Sequence, residues 1–182
     1  ETALTDLTLA VRLVPNEATI RLLEGTHRLS SRVTISRGIQ LVGAGCDKTV
    51  VTCEANSSHG LIALGHANSV VRDLTLTGNF GKSYADGAGA GVRITAGQLV
   101  DCRMTNLTLN ASANGTAVGI SGGRASRLSR VEICGCSGGQ YGTIYSSGGA
   151  IDDCLVHDNT VPTAGGGVWG AGIYVDTDGS AT

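Results

Sequence analysis

Gly148-Gly149-Ala150-Ile151-Asp152-Asp153-Cys154-Leu155-Val156-His157-Asp158-Asn159, a polar and Gly-rich break, and then Gly165-Gly166-Gly167-Val168-Trp169-Gly170-Ala171-Gly172-Ile173-Tyr174-Val175 read as one coil of a stacked β-structure. In Ile151–Val156 the first, fourth and sixth positions are apolar, which suggests a strand with Asp152 and Asp153 outside. The same form recurs upstream as Val71-Arg72-Asp73-Leu74-Thr75-Leu76, Leu99-Val100-Asp101-Cys102-Arg103-Met104 and Leu128-Ser129-Arg130-Val131-Glu132-Ile133. The four copies start 28, 29 and 23 residues apart, so loops of varying length sit on a constant frame.

A second ladder runs beside the first. Its members are Gly91-Val92-Arg93-Ile94, Ala117-Val118-Gly119-Ile120, Gly142-Thr143-Ile144-Tyr145 and Gly172-Ile173-Tyr174-Val175. Short β segments repeating at a period in the twenties mark a solenoid, in which one coil cannot bury its inner face without a neighbour. The 28 Gly among 182 residues argue against helices, because each Gly in a helix costs roughly 1 kcal/mol relative to Ala. At about 26 residues per coil the chain makes roughly seven coils. Residues 1–17, with Leu4, Leu7, Leu9, Val11, Leu13 and Val14, read as an N-terminal cap over the first coil's edge. Residues 18–182 are the coils. Gly179-Ser180-Ala181-Thr182 stands where another inward strand would begin, so the reading expects further coils beyond it.

The net charge of −2 and 3% aromatic content give no electrostatic footprint for nucleic acid. No apolar run approaches the ~20 residues of a membrane span. Of the six Cys, Cys102 and Cys154 share the inward ladder position of Leu74 and Val131 and read as small buried hydrophobes. Cys134 and Cys136, two apart, are expected on one side of a strand. Cys46 and Cys53 flank a six-residue segment and are candidates to bridge across a turn. No Cys-x-x-Cys pair is present, so no zinc motif is read.

Ala18 to Leu29 is a strand, a turn at Glu24-Gly25-Thr26 and a strand restart; Leu41-Val42-Gly43-Ala44-Gly45 follows. These two motifs resemble the opening coils of right-handed parallel β-helices of the pectate-lyase-like superfamily. The expected fold class is therefore all-β, a right-handed parallel β-helix. The single Gly148-Gly149-Ala150-Ile151 copy with Val156-His157-Asp158-Asn159 is more weakly similar to repeats of polymorphic outer-membrane proteins and related adhesins, with Val156 in place of their Phe. Asn159 is expected to bond turn backbone through its amide.

The superfamily resemblance implies, for its lyases, Ca²⁺ held by carboxylates on an outer sheet and an Arg or Lys base. The candidates here are Asp101, Arg130 and Asp153, with Asp73, at the third place of successive strands; Arg72 and Asp152 adjoin them. The same positions can equally be cross-strand ion pairs on a solvated face. Proton abstraction would need a raised carboxylate pKa or a depressed basic one. The Asn-Thr-Asp and Gly-His-Gly signatures of polygalacturonases are absent, as is an Asp-His after Trp169. The polar stretch 78–87 carries Lys82, Tyr84 and Asp86 as candidate ligand-binding residues. Asp176-Thr177-Asp178-Gly179 resembles part of a calcium turn but lacks the downstream Glu, which leaves Asp176 and Asp178 as metal candidates. His157 beside Asp158 is an acid or base candidate, or a turn cap.

The expected function is a secreted or cell-surface β-helix that acts as an adhesin or polysaccharide-binding module. Its partner would be a polysaccharide or a host or cell-surface glycan. The alternative is a polysaccharide lyase or glycoside hydrolase acting on an acidic polysaccharide; no cofactor is fixed by the sequence, and Ca²⁺ is the one that the lyase resemblance implies.

Overall fold

The structure is a computed structural model that describes residues 6–81, 89–109, 116–139, 141–161 and 172–176. Helix α1 (Leu7–Leu13) is followed by β1 (Thr19–Arg21), β2 (Gly25–Leu29), β3 (Val33–Ile35), β4 (Gln40–Val42), β5 (Thr49–Cys53), β6 (Ile62–Arg72), β7 (Thr75–Phe80), β8 (Val92–Val100) and β9 (Arg103–Leu109). Then come β10 (Val118–Ile120), β11 (Ser126–Ser129), β12 (Glu132–Cys134), β13 (Ser137–Gly138), β14 (Ile144–Ser146), β15 (Ala150–Asp152), β16 (Leu155–His157) and β17 (Ile173–Val175). All described strand pairings are parallel, and the chain winds into a β-solenoid of about five turns. The expected seven divided the whole chain by one coil length. The first rung begins only at Thr19, and the connections at 54–61 and 81–91 lengthen their coils.

Each coil has three faces. The first stacks β3, the start of β6, the start of β8, β10, β14 and β17. The second stacks β1, β4, the ends of β6 and β8, β11 and β15. The third stacks β2, β5, β7, β9, β12 and β16. The first two are continuous as a ten-stranded sheet because β6 and β8 run through both.

The inward columns are apolar. Leu41, Val71, Leu99, Leu128 and Ile151 are in register on the second face. Val51, Leu76, Met104, Ile133 and Val156 are in register on the third. All but the outermost pair, Ile151 and Val156, are wholly buried and join one core. Phe80, the chain's only Phe, belongs to this core at the end of β7, so the polar connection begins at Gly81 rather than Gly78.

The repeated six-residue unit is a corner rather than one strand. Asp73, Asp101, Arg130 and Asp153 have φ of 59°, 51°, 52° and 51°. A left-handed residue turns the chain from the second face to the third, so the first and fourth positions both face inward across the break. Asp accepts this conformation better than most L-residues; Arg130 holds it with an ion pair described below. A second corner column, Asn106, Gly135 and Asp158, has φ of 53°, 63° and 53°. It separates Cys134 from Cys136: Cys136 is buried and Cys134 is half-exposed, which corrects their expected placement on one side. All six cysteines are free, so the Cys46–Cys53 bridge is not formed. Cys53 packs into the core, whereas the Cys46 thiol points to the carbonyls of Leu74 and Asp101. Cys102 is buried, and burial pushes its thiol up to about 12.

The second ladder also needs one correction. Val92, Val118, Ile144 and Ile173 share a register, so Ile144 takes the place at which Thr143 was expected. A one-residue slip exchanges the faces: Ile144 points inward and Tyr145 outward. At the first coil, the side chain of Asp6 accepts from Leu9 N at 3.1 Å to cap α1, whose Leu7, Ala10 and Val11 are buried. At the far coil, Asn159 Oδ1 accepts from Cys136 N at 2.9 Å and Nδ2 donates to Ile133 O at 3.0 Å, the backbone bonding expected of it.

Candidate functional site

The corner column carries the residues singled out as catalytic. Arg130 reaches across to Asp101 with two parallel bonds, Nε to Oδ1 at 2.6 Å and Nη2 to Oδ2 at 2.8 Å. Asp73 pairs with Arg72, and Asp152 Oδ2 lies 3.0 Å from Arg127 Nε. Arg130 holds the Asp101 carboxyl below its ordinary range, and Asp101 in turn raises Arg130. Proton abstraction by Asp101 or Arg130 calls for the opposite shifts. Asp153 stands at the next corner, exposed, and adds its negative charge near Arg130. Arg130–Asp101 and Arg127–Asp152 tie successive coils, whereas Arg72–Asp73 joins chain neighbours. Lys82, Tyr84, Asp86 and Asp178 lie outside the described residues.

A different arrangement is built on the outside of the first face. Outward positions on β8, β10, β14 and β17 form the register Arg93–Gly119–Tyr145–Tyr174. Val92, Ile94, Val118 and Ile144 alternate with them and are buried. The Tyr145 and Tyr174 rings stack at 5.8 Å and 15°, and Tyr141 tilts against Tyr174 at 5.0 Å and 52°. The Tyr145 hydroxyl donates to Asp176 Oδ2 at 2.5 Å, and Asp176 N donates to Ser146 O at 2.7 Å. Asp176, singled out as a metal candidate, is thus the acceptor that fixes the tyrosine pair. It raises the Tyr145 phenol to about 12, chiefly by holding its proton and secondarily through desolvation.

Gly119 has no side chain, so the column is interrupted between Arg93 and Tyr145. Strands stand ~4.8 Å apart, which leaves these two outward side chains about 9.6 Å apart at the backbone. The interruption is a cavity of about 150 Å³ lined by Arg93, Gly119, Ile120, Ser121, Tyr145 and Ser147. Gly89, at the end of the polar connection before β8, packs against the backbone of Gly119. A Cβ on Gly89 would lie 2.2 Å from Gly119 N, and its φ of +78° also favours glycine. Arg93 is exposed, and among the described residues no carboxylate pairs with it.

The cleft therefore offers a flat aromatic face on one side, the Arg93 guanidinium on the other and two serine hydroxyls along its length. None of these residues was singled out from sequence. The signal was available as an Arg, a Gly and two Tyr at one outward place of the second ladder, but the Gly142 alignment hid it by setting Tyr145 against inward residues. No family model, curated protein or solved structure matches this chain.

Proposed function

We propose that this protein is a secreted or cell-surface glycan-binding rod that holds one residue of an acidic polysaccharide in the cleft between Arg93 and Tyr145. The observation that carries the reading is the missing rung side chain at Gly119. A sugar ring seated there replaces one layer of the outward column, with an aromatic face about one sheet spacing to one side and a cation about one to the other. The apolar face of a pyranose packs on the Tyr145 ring, and a uronate carboxylate receives two parallel bonds from the Arg93 guanidinium. Ser121 and Ser147 supply hydroxyls for the sugar's own.

The size fits a binder of polymers. At about 150 Å³ the cleft is smaller than the ~300–1,000 Å³ pockets that enclose a whole small molecule. It suits one unit of a chain that continues across the solenoid surface. The strands on which Arg93 and Tyr145 stand are held in ladder bonds, so little ordering is needed on binding. The likeness of Glu24-Gly25-Thr26, which leads into β2, and of Leu41-Val42-Gly43-Ala44-Gly45, which leaves β4, to pectate-lyase-like opening coils is in keeping with a polysaccharide ligand.

The test is affinity electrophoresis and calorimetry with polygalacturonate, alginate and neutral dextran, with polymer length followed by size-exclusion chromatography. The expected result is uronate binding without shortening, weakened 10- to 100-fold, roughly the worth of a charged hydrogen bond, by Arg93→Gln. Tyr145→Ala is expected to weaken both charged and uncharged oligomers. Retention of none of the polymers, or uronate binding that Arg93→Gln leaves unchanged, overturns the reading.

A further inference from the structure

On the outside of the third face, Thr105, Cys134 and His157 stand in one register across β9, β12 and β16. Glu132 lies two residues before Cys134 on the same side of β12. The Glu132 carboxylate, the Cys134 thiol and a His157 ring nitrogen each offer an atom, and the three atoms lie within 4.8 Å of one another. All three residues are half-buried, so the cluster is walled by the sheet and open to solvent on one side.

The far atoms of two of these side chains are already committed. His157 Nδ1 is 2.8 Å from Asp158 Oδ2 and Nε2 is 3.4 Å from Glu132 Oε1, so each ring nitrogen faces a carboxylate, with Nδ1–H donating to Asp158 and an Nε2 proton directed at Glu132 in the metal-free protein. Glu132 Oε2 accepts from Arg103 Nε at 2.7 Å, and Arg103 Nη1 also donates to Asp47 at 2.8 Å. A carboxylate behind a histidine, and a hydrogen bond behind a ligating carboxylate, are the outer supports by which proteins orient metal ligands. The Oε1 and Nε2 atoms turned inward have the right separation: ligand atoms bound ~2.0–2.2 Å from a tetrahedral ion stand about 3.4 Å apart.

We propose that Glu132, Cys134 and His157 bind Zn²⁺ in a three-ligand tetrahedral site whose fourth position is open to solvent. On binding, the Cys134 thiol releases its proton to water as the sulfur–zinc bond forms. His157 gives up to water the Nε2 proton that faced Glu132, donates the freed lone pair to the ion and keeps Nδ1–H on Asp158. Thiolate and carboxylate together neutralise the dication. Thiolate with imidazole selects zinc-type ions over Ca²⁺ or Mg²⁺, which take oxygen ligands. Because Glu132 and Cys134 belong to one coil and His157 to the next, the ion would staple two turns of the solenoid. This site is on a different face from the Arg93–Tyr145 cleft and does not depend on the glycan reading.

The experiment uses the full chain, freed of metal and held reduced, titrated first with Co²⁺ and then with Zn²⁺. The expected result is one equivalent of Co²⁺ with the near-ultraviolet band of a thiolate-bound ion and the visible bands of a tetrahedral one, both displaced by Zn²⁺. Cys134→Ser removes the thiolate band. Cys134→Ser and His157→Gln each weaken Zn²⁺ binding by more than about 100-fold, and Asp158→Asn weakens it by about 10- to 100-fold. Circular dichroism confirms that each variant is folded, and Cys154→Ser, at the corner behind β16, retains full binding. Absence of the thiolate band, or one equivalent of Zn²⁺ bound with unchanged affinity in Cys134→Ser, overturns the assignment.

Discussion

Removal of Arg37 should loosen the first coil and little else. Its guanidinium closes the C-terminal end of α1, with Nη2 donating to Val11 O at 2.5 Å, Nη1 to Val14 O at 2.6 Å and Nη2 to Arg12 O at 3.3 Å. These are carbonyls that a helix end leaves without partners, at the negative pole of its dipole. Bonds to a charged donor contribute roughly 1.5–3 kcal/mol each. Arg37 is half-exposed and the freed carbonyls regain water, so the low end applies to the two short bonds and the third adds little. Arg37→Ala should therefore cost about 2–3 kcal/mol. Arg37→Lys, with one nitrogen in place of two, should recover less than half. Coils contact only their neighbours, so the loss should be local. Amide hydrogen exchange is the assay: protection should fall in α1, β1 and β3 and remain unchanged in β9 and β12. A loss below about 0.5 kcal/mol, which is within the noise of surface substitutions, or an equal loss in every coil, would refute the reasoning.

Two further outcomes follow from the corner glycines and the tyrosine pair. A Cβ on Gly43 would lie 2.2 Å from Asp73 O and 2.8 Å from Leu74 Cβ, so Gly43→Ala must push neighbouring coils apart and should lower stability by more than about 3 kcal/mol. Gly45→Ala meets nothing within 4 Å and bears only the strain of φ +132°, about 1–3 kcal/mol; equal thermal shifts for the two would contradict this ordering. The Tyr145 phenol, raised to about 12 by Asp176, contributes stability that is full below pH 10 and is lost as pH rises through 12. Phenolate absorbance should show Tyr145 titrating late, as the component lost in Tyr145→Phe, and Asp176→Ala should return it toward 10; an unchanged titration in the Asp176 variant would remove Asp176 as the cause.

The fold could be read from the chain because a solenoid repeats its inward pattern in every coil. Val71, Leu99, Leu128 and Ile151 do align, and so do the residues three and five places after each. What the pattern conceals is the backbone between them. A left-handed residue at the third place preserves an apolar spacing of one, four and six while turning the chain through a corner. Asp73, Asp101 and Asp153 recur there because Asp tolerates φ near +55°, so conformation by itself is a sufficient reason for the column. Gly135 does the same between Cys134 and Cys136 and sends one thiol out and the other in.

The residues of the two proposed sites were harder to find for a related reason. Motif spacing assumes that ligands lie a few residues apart on one helix or loop, whereas here neighbours in space are one coil apart in sequence. Cys134 and His157, like Gly119 and Tyr145, meet only across a ladder register. That register is set by the length of each coil, and the lengths differ, so no fixed spacing identifies such a pair. A one-residue error at Gly142 is enough to turn Tyr145 inward and dissolve the aromatic column. In a solenoid the corners must be placed first, from residues that accept a left-handed backbone. Only then does a residue's outward neighbour become readable, and with it any site that two coils build together.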